Sequence, residues 1–121
     1  MMVANRKTNI IRDKTYEFAL DIIQLYKRML EEKEYIVSKQ IVRSGTSIGA
    51  NVEEAIAAQS RKDFIAKMSI SSKEARETNY WLRLLRDSNL CGCLDLDDLI
   101  KKSEEIIKIL TAIVKTTQTN H

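Results

Sequence analysis

The segment RSGTSIGANVEEA, residues 43–55, places two glycines four residues apart in a run whose apolar positions recur at helical spacing: Ile48, Val52 and Ala55, with Ile41 just upstream. A glycine inside a helix costs about 0.5–1 kcal/mol relative to alanine, so Gly45 and Gly49 need a compensating contact. At about 100° per residue both fall on the apolar arc with Ile41, Val52 and Ile56, and they therefore face the core. The close approach of a neighbouring helix explains them. A slot that seats a ligand against bare backbone is the other reading, and nothing else in the chain supports it. If the turn that follows pivots at Ser60, Gly49 lies opposite Ser71 and Gly45 opposite Ala75, so the third helix is the expected neighbour.

Beside that arc runs a polar one. Ser44, Ser47, Asn51, Glu54 and Ala58 recur at three, four, three and four residues. A solvated helix face normally carries lysine and glutamate, whereas serine and asparagine in register point to a hydrogen-bonded contact with another helix. That helix belongs either to the same chain or to a second subunit.

Working outward, the helical period continues in both directions. Residues from about 14 to 33 carry Phe18, Ile22, Leu25 and Met29, with Ala19, Tyr26 and Leu30 beside them, and predict a first helix. The second runs from about 36 to 58; its start is weakly marked because EEKEY (31–35) holds neither glycine nor proline. Ser60 followed by Asp63 ahead of an apolar run is a capping box, opening a third helix over about 61–89 that aligns Phe64, Met68, Ser71, Ala75, Thr78, Leu82 and Leu85. Gly92 is expected to end it. A fourth helix begins at Asp95, with Asp97 and Asp98 near the positive end of its dipole and a seam of Leu99, Ser103, Ile106, Leu110 and Ile113; the TTQTNH tail is expected to fray. Short connections make neighbours antiparallel, so residues 1–121 are expected to form one all-α domain, an up-down-up-down four-helix bundle.

Composition agrees with that class. The chain has 121 residues, no proline, 6% aromatic and 31% charged residues, which disfavours sandwiches and barrels built on frequent turns. Twenty basic against seventeen acidic residues give +3, too mild to diagnose nucleic-acid binding by total charge. No apolar stretch has the length of a membrane span or a secretory signal, so a soluble cytoplasmic protein with no membrane partner is expected. Cys91-Gly92-Cys93 is badly placed for a disulfide and fits a reducing compartment. A metal would need two further ligands, and the single histidine is His121, so the cysteines read as a plain turn, with no metal and no cofactor.

Two stretches, SGTSIGANVEEA and SRKDFIAKMSISSKEARETNYWLRLL, together resemble the 23S rRNA intervening-sequence protein family. The likeness rests on a small-residue block with Ser47, Ile48, Asn51 and Glu54, followed by a serine-capped start with Ser60, Asp63 and Phe64. Ala55 follows Glu54 where many members carry glycine. The resemblance implies an antiparallel four-helix bundle assembled into a ring, commonly a pentamer. It also implies kinship with the accessory protein of diversity-generating retroelements, a basic pentamer that binds nucleic acid and a reverse transcriptase. RNA or DNA, and a protein partner, are the implied ligands.

Tools for catalysis are few. Glu53 and Glu54 are adjacent and point about 100° apart, and the Glu-x-x-His pairs of di-iron bundles are missing, so no enzyme is expected. Binding has a better candidate in the third helix, where Ser69, Lys73, Arg76, Tyr80 and Arg83 share one face with Lys62 close to the same line. Asp63, Glu74 and Glu77 lie toward the other side. The face reads either as an ordinary solvated surface paired with neighbouring acids or as a track for a phosphate backbone on which Tyr80 stacks. On the opposite flank Ile70, Trp81 and Leu84 project away from the core stripe; Trp81 either caps the bundle edge or forms a subunit contact, and the contact is favoured. Two functions follow from these faces: an oligomeric nucleic-acid-binding module, or a protein-binding or structural ring with no nucleic-acid role.

Overall fold

The computed structural model describes residues 6–92 and 94–119, which form four α-helices: α1 (Arg6–Glu31), α2 (Val37–Ile56), α3 (Arg61–Ser88) and α4 (Asp97–Thr119). Each helix exists because apolar residues return to one side every three or four positions. In α1 the buried row is Thr8, Ile11, Thr15, Phe18, Ile22, Leu25 and Met29, an unbroken heptad pattern. The helix therefore starts eight residues earlier than the sequence reading placed it. Two threonines in the row disguised the first turns, and Thr15 returns its hydroxyl to the Ile11 carbonyl at 2.8 Å, which lets it be buried without loss.

The junctions are made by side chains and left-handed residues. Lys33 takes φ 61°, with its N–H on the Leu30 carbonyl and that of Glu34 on the Met29 carbonyl, both at 2.9 Å. This is a Schellman closure without glycine. The Glu34 carboxylate then accepts from the backbone N–H groups of Ile36, Val37 and Ser38 and opens α2. Desolvation pushes that carboxyl up, but the backbone donors, Ser38 first, outweigh it and hold it below the ordinary carboxylate range. Ser60 caps α3 as read, its hydroxyl accepting from the Asp63 N–H at 3.0 Å.

At the other end of α3 the expectation fails. Asn89, at φ 54°, is the left-handed cap, and Gly92 has no positive φ; asparagine tolerates that region because its short polar side chain bonds locally. Helix α4 starts at Asp97, where the Asp95 carboxylate accepts from the Asp97 N–H, and runs to Thr119 where fraying was expected. Its core row is Ile100, Ser103, Ile106, Leu110 and Ile113, with Leu96 buried just ahead of the helix; Leu99 is only half-buried, and its neighbour Ile100 takes the core position.

Helices pack in the order α1, α2, α3, α4 and back to α1, and among the described residues the backbones of diagonal helices do not approach each other. Every seam is antiparallel, because partner numbers fall on one helix as they rise on the other. Ile22 faces Gly45 and Thr15 faces Gly49; Ser71 meets Ile48 and Thr78 meets Ser44; Asn79 meets Ser103 and Arg76 meets Thr111; Lys14 meets Glu105 and Asp21 meets Lys102. The buried side chains of all four helices join in one core cluster. No described helix is long and apolar enough to cross a membrane.

The glycines face the other neighbour. A Cβ on Gly45 would stand 2.8 Å from Ile22 Cγ2, and one on Gly49 would stand 3.3 Å from the Thr15 carbonyl oxygen, so both let α1, not α3, approach α2. The expected pairing of Gly49 with Ser71 and of Gly45 with Ala75 is thereby corrected. The counted register is nearly right, but the residues of α2 that meet Ser71 and Thr78 are Ile48 and Ser44.

Candidate nucleic-acid interface

The outward face of α3 is basic because its acids are drawn to one side. Arg43, on α2, bonds Glu74 at 3.3 Å and also holds Glu77. Glu77 in turn accepts from the Trp81 indole N–H at 3.0 Å. The indole bond lowers the Glu77 carboxyl most; desolvation opposes it, and Arg43 adds to the lowering, so the group stays below its ordinary value. Arg43 and the Trp81 indole thus lock both acids onto the α2 seam.

What remains is cationic. Lys62, Lys73, Arg76, Tyr80 and Arg83 are all exposed. Among the described residues no carboxylate stands within ion-pair distance of the four cations. Asp87, four residues beyond Arg83, is bonded to Arg86 at 2.7 Å.

Two of the arginines are aimed. The Arg83 Nε donates to Asn79 Oδ1 at 2.7 Å, and the amide of Asn79 donates to the buried Ser103 hydroxyl at 2.9 Å. This relay ties an exposed guanidinium to α4 through the core. Arg76 lies over the α3–α4 seam with Nη2 3.4 Å from Thr111 Oγ1. Each guanidinium keeps further N–H donors in a planar fork suited to phosphate oxygens. Tyr80 meets Trp81 edge to face, with ring centroids 5.2 Å apart, and still presents a free-standing surface: it is 49% exposed.

The polar seam of α2 is mostly spent inside the chain. Ser44 is fully buried and accepts from Thr78; Glu54 pairs with Lys67 of α3 at 3.0 Å. Ser47 and Asn51, half-buried, bond back to carbonyls of their own helix. Trp81, read as capping the bundle edge or forming a subunit contact, is half-buried against the core and tethered by Glu77. Ile70 and Leu84 do remain exposed, at 40% and 41%.

Sequence reasoning missed an apolar stripe on α1, where Tyr16, Leu20 and Ile23, spaced four and three, are 64%, 49% and 38% exposed. Their period is as regular as the core row, and a second stripe on one helix was the available signal. Lys115 and Thr111 of α4 were missed as well, because only the fold brings them beside Arg76. Cys91 is buried. Cys93 and His121 lie outside the described residues, and among those described no cluster of three or more metal-ligating side chains occurs.

A bundle of this order, with a basic face on α3, defines the chain as a helical-bundle protein. The profile described as "23S rRNA-intervening sequence protein" matches residues 7–112, and the chain belongs to that family. Among solved structures it is similar to a protein of unknown function from the S23 ribosomal protein family of Bacteroides thetaiotaomicron VPI-5482. The two are 50% identical with a TM-score of 0.85, over 90% of this chain and 98% of that one. No curated protein matches.

Proposed function

We propose that the chain is a non-enzymatic cytoplasmic module that assembles with copies of itself into a ring of five and binds nucleic acid, alone or with a protein partner, through the outward face of α3. The observation that carries the binding is the set of unpaired cations, Lys62, Lys73, Arg76 and Arg83, around exposed Tyr80, with Glu74 and Glu77 held on the opposite side by Arg43. Cations that are not committed to an ion pair bind phosphate with release of its counterions at little electrostatic cost to the fold, and an exposed ring offers a stacking surface to any base. The family name ties its members to ribosomal RNA genes, which makes RNA the first nucleic acid to try.

Exposed apolar side chains on two helices support assembly: the stripe Tyr16, Leu20 and Ile23 on α1, and the separate positions Ile70 and Leu84 on α3. The two helices lie diagonally across the bundle, so the α1 stripe of one copy meeting the α3 positions of the next makes a heterologous contact, the kind that closes into rings.

Titration of labelled RNA and DNA with purified protein at several salt concentrations tests the binding. Affinity should fall linearly on logarithmic axes, and charge reversal at Lys73 and Arg83 should flatten the slope by about 0.7 per contact on single strands. Light scattering should return a multiple of 13.9 kDa. A wild-type protein that assembles but binds neither nucleic acid at low salt replaces this function with that of a protein-binding or structural ring.

A further inference from the structure

Between the first half of α3 and the last turns of α4 lies an open cleft of about 270 Å³. Its walls are Ser69, Ser72 and Arg76 from α3 and Thr111, Lys115 and Gln118 from α4; Val114 is the one apolar lining residue, and no carboxylate lines it. Two cations and several neutral donors rim a cleft whose floor is largely carbon, a combination that suits an oxyanion held at the rim.

The state of those donors sharpens the point. Many helical serines and threonines of the chain return their hydroxyls to their own helix or bridge to a neighbour, as Ser44, Thr46, Ser47 and Ser71 do. Ser69 and Ser72 make no such bond among the described residues, nor does the Gln118 amide. Among the described residues Lys115 has no carboxylate within ion-pair distance. Among the same residues the Arg76 guanidinium makes one side-chain hydrogen bond, to Thr111 at 3.4 Å, which steadies it over the cleft and leaves most of its N–H groups open.

We infer that this cleft seats a backbone phosphate of a bound nucleic-acid strand, gripped from both sides by Arg76 and Lys115 with Ser69, Ser72 and Gln118 as neutral donors. The inference rests on the nucleic-acid reading above and moves its track off a single helix: the strand crosses the α3–α4 seam, and α4 carries a contact residue. Lys115 is the decisive side chain because the third-helix face does not include it.

The test compares Lys115→Glu with Lys27→Glu, an equal charge change on exposed Lys27 of α1, by titrating labelled single-stranded RNA and DNA. Circular dichroism confirms that both variants fold, and Lys115→Gln serves as a milder second variant. Loss of one phosphate contact should weaken single-strand binding about fivefold at 0.1 M salt and reduce the salt slope by about 0.7. Lys27→Glu should leave the slope as in wild type. If Lys115→Glu matches Lys27→Glu while wild type binds, the cleft assignment is overturned and the α3 face stands. If wild type binds no strand, both fall. A calorimetric titration with inorganic phosphate separates a free-anion site: tight uptake of phosphate, without any effect of Lys115→Glu on strand binding, assigns the cleft to a free oxyanion and overturns the inference.

Discussion

The two flanks of α2 are built on opposite means. Toward α1 the helix offers bare backbone: Gly45 lies under the Ile22 side chain and Gly49 under the Thr15 carbonyl. Toward α3 it offers bonds. Thr78 donates to Ser44 at 2.9 Å, Ser71 donates to the Ile48 carbonyl at 2.8 Å, Arg43 holds Glu74 and Glu77, and Glu54 holds Lys67. One flank is specified by what is missing and the other by what is paired. A seam without side chains has no tolerance for volume, whereas a seam of hydrogen bonds and exposed ion pairs loses them one at a time.

The sharpest way to break the first flank is Gly45→Leu. Even a single Cβ there would stand 2.8 and 2.9 Å from two carbons of fully buried Ile22, and these lie close to the backbone with little room to move. Overpacking should cost about 1–3 kcal/mol, read as a lower denaturation midpoint with an unchanged m-value. A midpoint equal to that of wild type would show that the α1 flank is not tight.

On the second flank Thr78→Val keeps the shape and removes the hydroxyl. Ser44 still donates to the Gln40 carbonyl, so no buried group is orphaned, and the loss should be about 1 kcal/mol. It should be smaller than that of Gly45→Leu in the same denaturant series.

Arg43→Ala frees Glu74 and Glu77 but acts on partly exposed pairs, so its cost should stay within about 1 kcal/mol and shrink with added salt. It carries a pH signature. The Glu77 carboxyl is lowered in the fold, first by the Trp81 indole and then, against desolvation, by Arg43. Its contribution is therefore fully present above its ordinary value of 4.5 and disappears as pH falls through the lowered one. The acid limb of a stability-against-pH curve should be shallower in Arg43→Ala than in wild type. The same variant should weaken nucleic-acid binding, since it returns two unpaired acids to α3.

The smallest effect is expected of Gly49→Ala. Its Cβ would sit 3.3 Å from the Thr15 carbonyl oxygen, a slight crowding that opposes the roughly 0.4–1 kcal/mol gained by replacing glycine in a helix. The two nearly cancel, so a midpoint within a few tenths of a kcal/mol of wild type is expected. Set beside Gly45→Ala, which should be clearly destabilising, it separates the two glycines that the sequence presents as equals.

Legibility followed the range of the signal. The row from Phe64 to Leu85 and the Ser60 cap were readable because each is decided within a turn or two of the chain. The first turns of α1 were not, since Thr8 and Thr15 are polar by type yet buried in the core row, Thr15 by giving its hydroxyl to a carbonyl of its own helix. The Lys33 turn carried no glycine to announce it, and Asn89, not Gly92, closed α3. The basic side chains of α3 could be placed on one face, but their freedom from acid partners could not, because Arg43 reaches Glu74 and Glu77 from another helix.

The sequence by itself determined four amphipathic helices in antiparallel order and the direction in which each turns its apolar side, because periodicity and capping are local properties of the chain. Which neighbour lies on each side of that direction was decided only by the tertiary structure. An apolar arc points to the core without distinguishing its left flank from its right, so Gly45 and Gly49 could be assigned to the core but not to α1. For the same reason Arg76 and Lys115, 39 positions apart in the chain, become the two walls of one cleft only when α4 packs beside α3.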